Sequence, residues 1–99
     1  MTLYVFQGGS EQALAEVKEE EGEKKLLVAT KLTNYRLVPL TEKMFKDREK
    51  RNQCKLLLLN LPKLTDEQVE VYIKQQFGLM GYQLKKKLKG KNDLRTDSQ

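Results

Sequence analysis

One passage constrains this chain more than any other: the segment from Lys55 to Gly78. Leu56-Leu57-Leu58-Leu59 is apolar on every side, Asn60-Leu61-Pro62 breaks the run, and Thr65-Asp66-Glu67 opens a helix with a capping hydroxyl and two acids in its first turn. Val69, Tyr72, Ile73, Gln76 and Phe77 then recur at helical spacing along one face, and Gly78 ends the element. Leucine suits helices as well as strands, but so short a run closed by Asn-Leu-Pro reads as a central strand covered on both sides. The two segments have apolar faces of matching length. Val69, Tyr72, Ile73 and Phe77 are therefore expected to pack on Leu56–Leu59.

Around this unit the chain alternates. Leu3 to Gln7, rich in aromatic and β-branched residues, reads as a strand that ends at the turn Gly8-Gly9. Ser10 then suits a helix N-cap, Ala13, Leu14 and Val17 give a short apolar stripe, and Gly22 stops the segment, which predicts a helix. Lys25 to Thr30 and Tyr35 to Leu40 read as strands, the second put at a sheet edge or ended early by Pro39. Thr41 is expected to cap a charged helix from Glu42 to about Gln53, and Tyr82, Leu84 and Leu88 mark a last strand. The order is β-α-β-β-α-β-α-β. The expected fold is α/β or α+β, a small mixed β-sheet packed by two or three short helices. Residues 1–90 form its single globular domain, and 91–99 are expected to be a disordered basic and polar tail.

Charge is distributed unevenly. Residues 1–23 hold six Glu and one Lys, a net of −5, whereas residues 24–99 hold 18 basic and eight acidic side chains, a net of +10. That asymmetry points to a polyanionic partner. Lys43, Lys46, Arg48, Lys50, Arg51 and Lys55 form one basic cluster. On the expected helix Lys43, Lys46 and Lys50 share a face, Arg48 and Arg51 lie on another, and Asp47 is placed to pair with Arg51. Lys85, Lys86, Lys87, Lys89, Lys91 and Arg95 form a second cluster. From these, Lys43, Lys46, Lys50, Arg51, Lys85, Lys86, Lys87 and Lys89 are the candidate nucleic-acid contacts, reaching the phosphate backbone rather than the bases. Tyr72 and Phe77 lie on the apolar helical face and are assigned to the core, which leaves Tyr35, between Asn34 and Arg36, as the aromatic expected to be exposed for stacking.

Other chemistry is scarce. Gly8-Gly9-Ser10, between an expected strand and helix, could cradle a phosphate, yet neither G-x-G-x-x-G nor the P-loop pattern is present, and a turn with an N-cap explains the residues. The chain has no histidine and one cysteine, Cys54, which precedes the leucine run and is expected to be buried. Triad chemistry and a His-assisted thiolate are excluded, and no cofactor or metal is expected. One cysteine allows no internal disulfide, the N-terminal segment lacks a basic region ahead of its apolar residues, and runs such as Leu56–Leu59 are far too short to span a bilayer. The expectation is a cytoplasmic protein that does not associate with membranes.

Lys55-Leu-Leu-Leu-Leu-Asn-Leu-Pro62, followed by Thr65-Asp66-Glu67-Gln68-Val69 and closing in Phe77-Gly78, resembles the opening of an RNA-recognition motif. The resemblance covers about a quarter of the chain and implies a first strand leading into a first helix. Leu57 stands where that family carries a stacking aromatic, and the chain ends before its second signature strand, so no residue roles follow. The passage is read as a generic strand–turn–helix unit.

The function expected from these features is that of a small regulatory protein, not an enzyme, that binds RNA or DNA through its basic clusters. Two alternatives stand beside it: an adaptor or inhibitor docking on an acidic protein surface, and a small His-free ribonuclease working through Lys, Arg and Tyr.

Overall fold

The computed structural model describes residues 2–89. The expected tail at 91–99 lies outside them. Five strands and two α-helices follow one another as β1 (Thr2–Gly8), β2 (Glu11–Glu20), β3 (Glu23–Ala29), β4 (Val38–Pro39), α1 (Arg48–Asn60), α2 (Asp66–Leu79) and β5 (Gln83–Lys89). Short 3₁₀ turns sit at Lys31–Thr33, Glu42–Met44 and Leu61–Lys63. The strands form one sheet in the order β4-β3-β2-β1-β5. The α+β class and the sheet packed by two helices are as expected, but every strand pair is antiparallel, so the sheet is not mixed.

Two segments exchange type within the predicted succession. Residues 11–20 are a central strand, not a helix. Ala13, Ala15 and Val17 alternate into the core while Leu14, Glu16 and Lys18 point away, a two-residue period that the helix-forming alanines and glutamates conceal. The turns at its two ends dictate the strand. Gly9 takes a positive φ between the paired residues Gly8 and Glu11, and Glu21-Gly22 both take positive φ between Glu20 and Glu23, the backbone that tight antiparallel hairpins require. Gly8-Gly9-Ser10 is thus a hairpin turn with no helix behind it, which removes the phosphate-cradle geometry.

The second exchange concerns the leucines. Leu56–Leu59 belong to α1, not to a strand, and the helix begins at Arg48 rather than Glu42. Its N-cap is Asp47, whose carboxylate accepts from the Glu49 amide, while Thr41 makes no side-chain cap. Cys54, Leu57 and Leu61 are buried along one side, with Leu58 packed against them, whereas Leu56 is 57% and Leu59 74% exposed. A four-leucine strand would have been covered on both faces; a helix buries only its inward stripe. The resemblance to an RNA-recognition motif fails at the same place, because its first strand is a helix here and four strands precede it.

The C-terminal half of the leading passage is as expected. Thr65 and Gln68 cap α2 reciprocally, each side chain accepting from the other's amide. Val69, Ile73 and Phe77 enter the core, joined by Gln76, and Tyr72 does not: it is partly exposed, which corrects its core assignment. Phe77 stacks on Phe6 of β1 with ring centroids 4.2 Å apart and meets Tyr82 at 6.1 Å. These helices and the inward residues of β1, β2 and β3 make one core cluster, and both helices lie on the same side of the sheet.

Candidate nucleic-acid interface

The displaced start of α1 regroups the first basic cluster. With Lys43 on the 3₁₀ turn and the helix beginning at Arg48, the residues Arg48, Arg51, Asn52 and Lys55 fall on one helical stripe. Together with Lys43 and Glu42 they line a depression of about 600 Å³. Lys43 and Arg51 were expected here; Arg48 and Lys55 belonged to the same sequence cluster without being chosen, and Asn52 was missed. The missing signal was the extent of the helix, which starts at Arg48 and runs past Lys55 to Asn60.

Inside the depression the charges are uneven. Lys55 Nζ lies 3.0 Å from Glu42 Oε2, so the single carboxylate is matched and three cations remain. Arg51 is fixed by its own backbone contacts: Nε donates to the Phe45 carbonyl at 2.8 Å and one terminal nitrogen donates to the Lys46 carbonyl at 3.2 Å. Its expected pairing with Asp47 does not occur, because Asp47 is occupied as a cap and the guanidinium faces the preceding loop. A guanidinium held this way has lost its rotamer freedom before any ligand arrives, and further N–H donors are left over.

Lys46 and Lys50 go to the other side of α1. They rim a second depression of about 510 Å³ whose floor includes Phe45, Met80 and Tyr82, and Lys50 Nζ also donates to the Leu79 carbonyl at the end of α2. Lys31 joins them, and Asp47 and Glu11 on the same lining offset two of the three lysines. The sequence cluster is therefore two surfaces, of which only the first is dominated by cations.

Lys85, Lys86, Lys87 and Lys89 lie on β5, an edge strand, and the first three do not converge. The register to β1 slips between Val5 and Phe6, leaving Lys85 unpaired at a bulge. Lys86 is opposite Val5 on the face away from the helices, and Lys87 is opposite Tyr4 on the helix side. Lys87 Nζ sits 2.6 Å from Glu70, which Lys74 approaches at 3.3 Å. These contacts hold the Glu70 carboxyl below the usual glutamate range, the hydrogen bond from Lys87 being the main cause. Lysines on a bulged edge also discourage another strand from pairing there, a structural use that needs no ligand.

Tyr35 is 56% exposed, as expected, and stands with Asn34 in the left-handed region. Cys54 is fully buried, and burial pushes its thiol up to about 11, well away from nucleophilic chemistry at neutral pH. Burial, reinforced by Glu70 and Asp66, likewise pushes the Tyr4 hydroxyl up to about 12. Among the described residues no group of His, Cys, Asp and Glu is placed to hold a metal ion, and no helix is long and apolar enough to cross a membrane. No family model, curated protein or solved structure matches the chain.

Proposed function

We propose that this protein binds the phosphate backbone of nucleic acid through the face formed by Lys43, Arg48, Arg51 and Lys55, with no catalytic step. The observation that carries the reading is the convergence of four cations and a single matched carboxylate in one open depression. Charges held together on a helix stripe reach successive phosphates, and the pre-fixed Arg51 offers a planar donor set suited to phosphate oxygens. Base-specific contacts find less support, since three of the aromatics that could stack, Tyr4, Phe6 and Phe77, are buried. Lys85, Lys86 and Lys89 are secondary in this reading, and Lys87 is committed to Glu70.

Fluorescence anisotropy with RNA and DNA oligomers at several salt concentrations tests it. Binding is expected at ~50 mM salt, weakening with a slope of about −0.7 per contacted phosphate on single strands and about −0.9 on duplex. Replacing Lys43 and Arg48 by alanine should reduce both affinity and slope by about two contacts. Replacing Lys85 and Lys86 should do less. Absence of binding at low salt, or a slope unchanged in the Lys43/Arg48 variant, overturns the proposal and leaves an acidic protein surface as the partner to seek.

A further inference from the structure

The face of the sheet opposite the helices carries an aliphatic band across its middle. Alternation and register place Leu3 and Val5 of β1, Leu14 and Glu16 of β2, Leu27 and Ala29 of β3, and Leu88 of β5 on it. Across the strands these form two rows, Lys86–Val5–Leu14–Ala29 and Leu88–Leu3–Glu16–Leu27. Val5 and Ala29 are buried although neither belongs to the core cluster under the helices. An antiparallel sheet with one solvated face normally carries polar side chains there. Here the two middle rows are aliphatic, flanked by Gln7 and Gln12 on one side and by Lys18 and Lys25 on the other, and Tyr35 borders Leu14 and Ala29.

Glu16 is the exception within those rows, and it is informative. It sits between Leu3 and Leu27, and its Oε1 is shielded from solvent without any hydrogen-bond partner. A shielded carboxylate oxygen in aliphatic surroundings is costly unless something donates to it. Lys86, at the flank of the neighbouring row, makes no ion pair among the described residues, whereas Lys25 nearby is drawn to Glu20 at 3.8 Å. The face therefore holds a shielded anion at its centre and two lysines without an ion pair among the described residues, Lys86 at one flank and Lys18 next along β2.

We infer that this face is the contact between two copies of the chain, packed sheet to sheet. An isologous contact brings a patch against itself, so each copy's Lys86 can meet the other copy's Glu16, and the pair forms twice. Sheets stacked face to face lie ~10 Å apart, a distance that a lysine and a glutamate together can bridge. Four strands ~4.8 Å apart and ~7 residues long present about 450 Å² in projection, so two copies bury about 900 Å², the size of a weak, concentration-dependent association. The result is an α-β-β-α sandwich with one Arg51 depression on each outer side.

Sedimentation equilibrium of the full chain, from micromolar to millimolar concentration, tests the assembly. A species of twice the chain mass is expected, and a monomer at every concentration overturns the inference. Leu14→Lys should abolish the dimer while its far-ultraviolet circular dichroism stays that of wild type; a folded Leu14→Lys dimer shows that another face is used and also overturns it. Glu16→Lys should weaken association ~10-fold or more, and adding Lys86→Glu to it should restore association, because the swapped pair forms again across the contact. Failure of that rescue overturns the Glu16–Lys86 pairing. Arg51→Ser, on the helix side, should leave the association unchanged, so the dimer and the nucleic-acid reading succeed or fail separately.

Discussion

The two faces of the sheet are built from the same strands and differ in what completes them. On the helix side Phe6 meets Phe77, and Ala13 and Ala15 contribute small side chains to a core shared with Leu57 and Ile73. On the other side Val5, Leu14 and Leu27 form an aliphatic band with no helix over it among the described residues. Hydrophobic residues alternating along a strand thus do not identify the interior. The interior is wherever another element supplies the second layer, and among the described residues only one face receives it from helices.

The sharpest way to break this comparison is to truncate one residue on each face. Phe77→Ala should destabilise the domain by about 3–5 kcal/mol, because a stacked ring is lost and the core cannot close over the cavity. Leu27→Ala, on the open face, should cost about 1 kcal/mol at concentrations where the chain is monomeric, since less area leaves contact. Equal losses in chemical denaturation would mean that the open face is as well packed as the core.

The leucine run repeats the contrast within one helix. Leu57→Ala should cost about 2–5 kcal/mol, and Leu59→Ala, in solvent, should stay within about 0.5 kcal/mol. Similar melting temperatures for the two variants would contradict the helical assignment of the run.

A smaller effect sharpens the view of β5. The folded-state pKa of Glu70 lies below its unfolded value, so the pair with Lys87 contributes stability above the unfolded glutamate pKa of about 4.3 and loses it as pH falls through the folded value. Lys87→Ala should therefore be less stable than wild type by up to about 1 kcal/mol near neutral pH, and the two should converge in acid. A difference that persists in strong acid would assign the loss to packing of the lysine stem.

Legibility in the sequence followed the strength of local signals. α2 was readable from Thr65 to Gly78 because its caps, acidic first turn and apolar stripe all agree. β1, β3 and β5 were readable from their composition and flanking turns. Two segments were not. In β2 the residues Ala13, Leu14 and Glu16 favour helix locally, and only the pairing partners on either side, β1 and β3, make a strand of them. In α1 the helix extends through leucines whose apolar character suits either structure, and the decisive residue, Asp47, resembles any other charge in that stretch. The candidate interface inherits this difficulty. Its cations were visible as a cluster, but which of them share a surface depends on where α1 starts and ends, since Lys43 and Lys46 fall outside it and Lys55 inside.

The pairing of β1 with both β2 and β5 has a consequence for the order in which the protein can be made. The β1–β2–β3 meander closes through two tight turns and can form from neighbouring residues, a fast process. β1 then waits, since its second partner lies at the far end, with Thr2 opposite Lys89. During synthesis, at about 5–20 residues per second, the meander emerges early with one side of β1 unpaired and its aromatic residues uncovered. α2 and β5 arrive last and finish both tasks within a few residues of each other. The ribosome-bound chain thus passes through a stage in which its most apolar strand is an open edge, and chaperones would find it there.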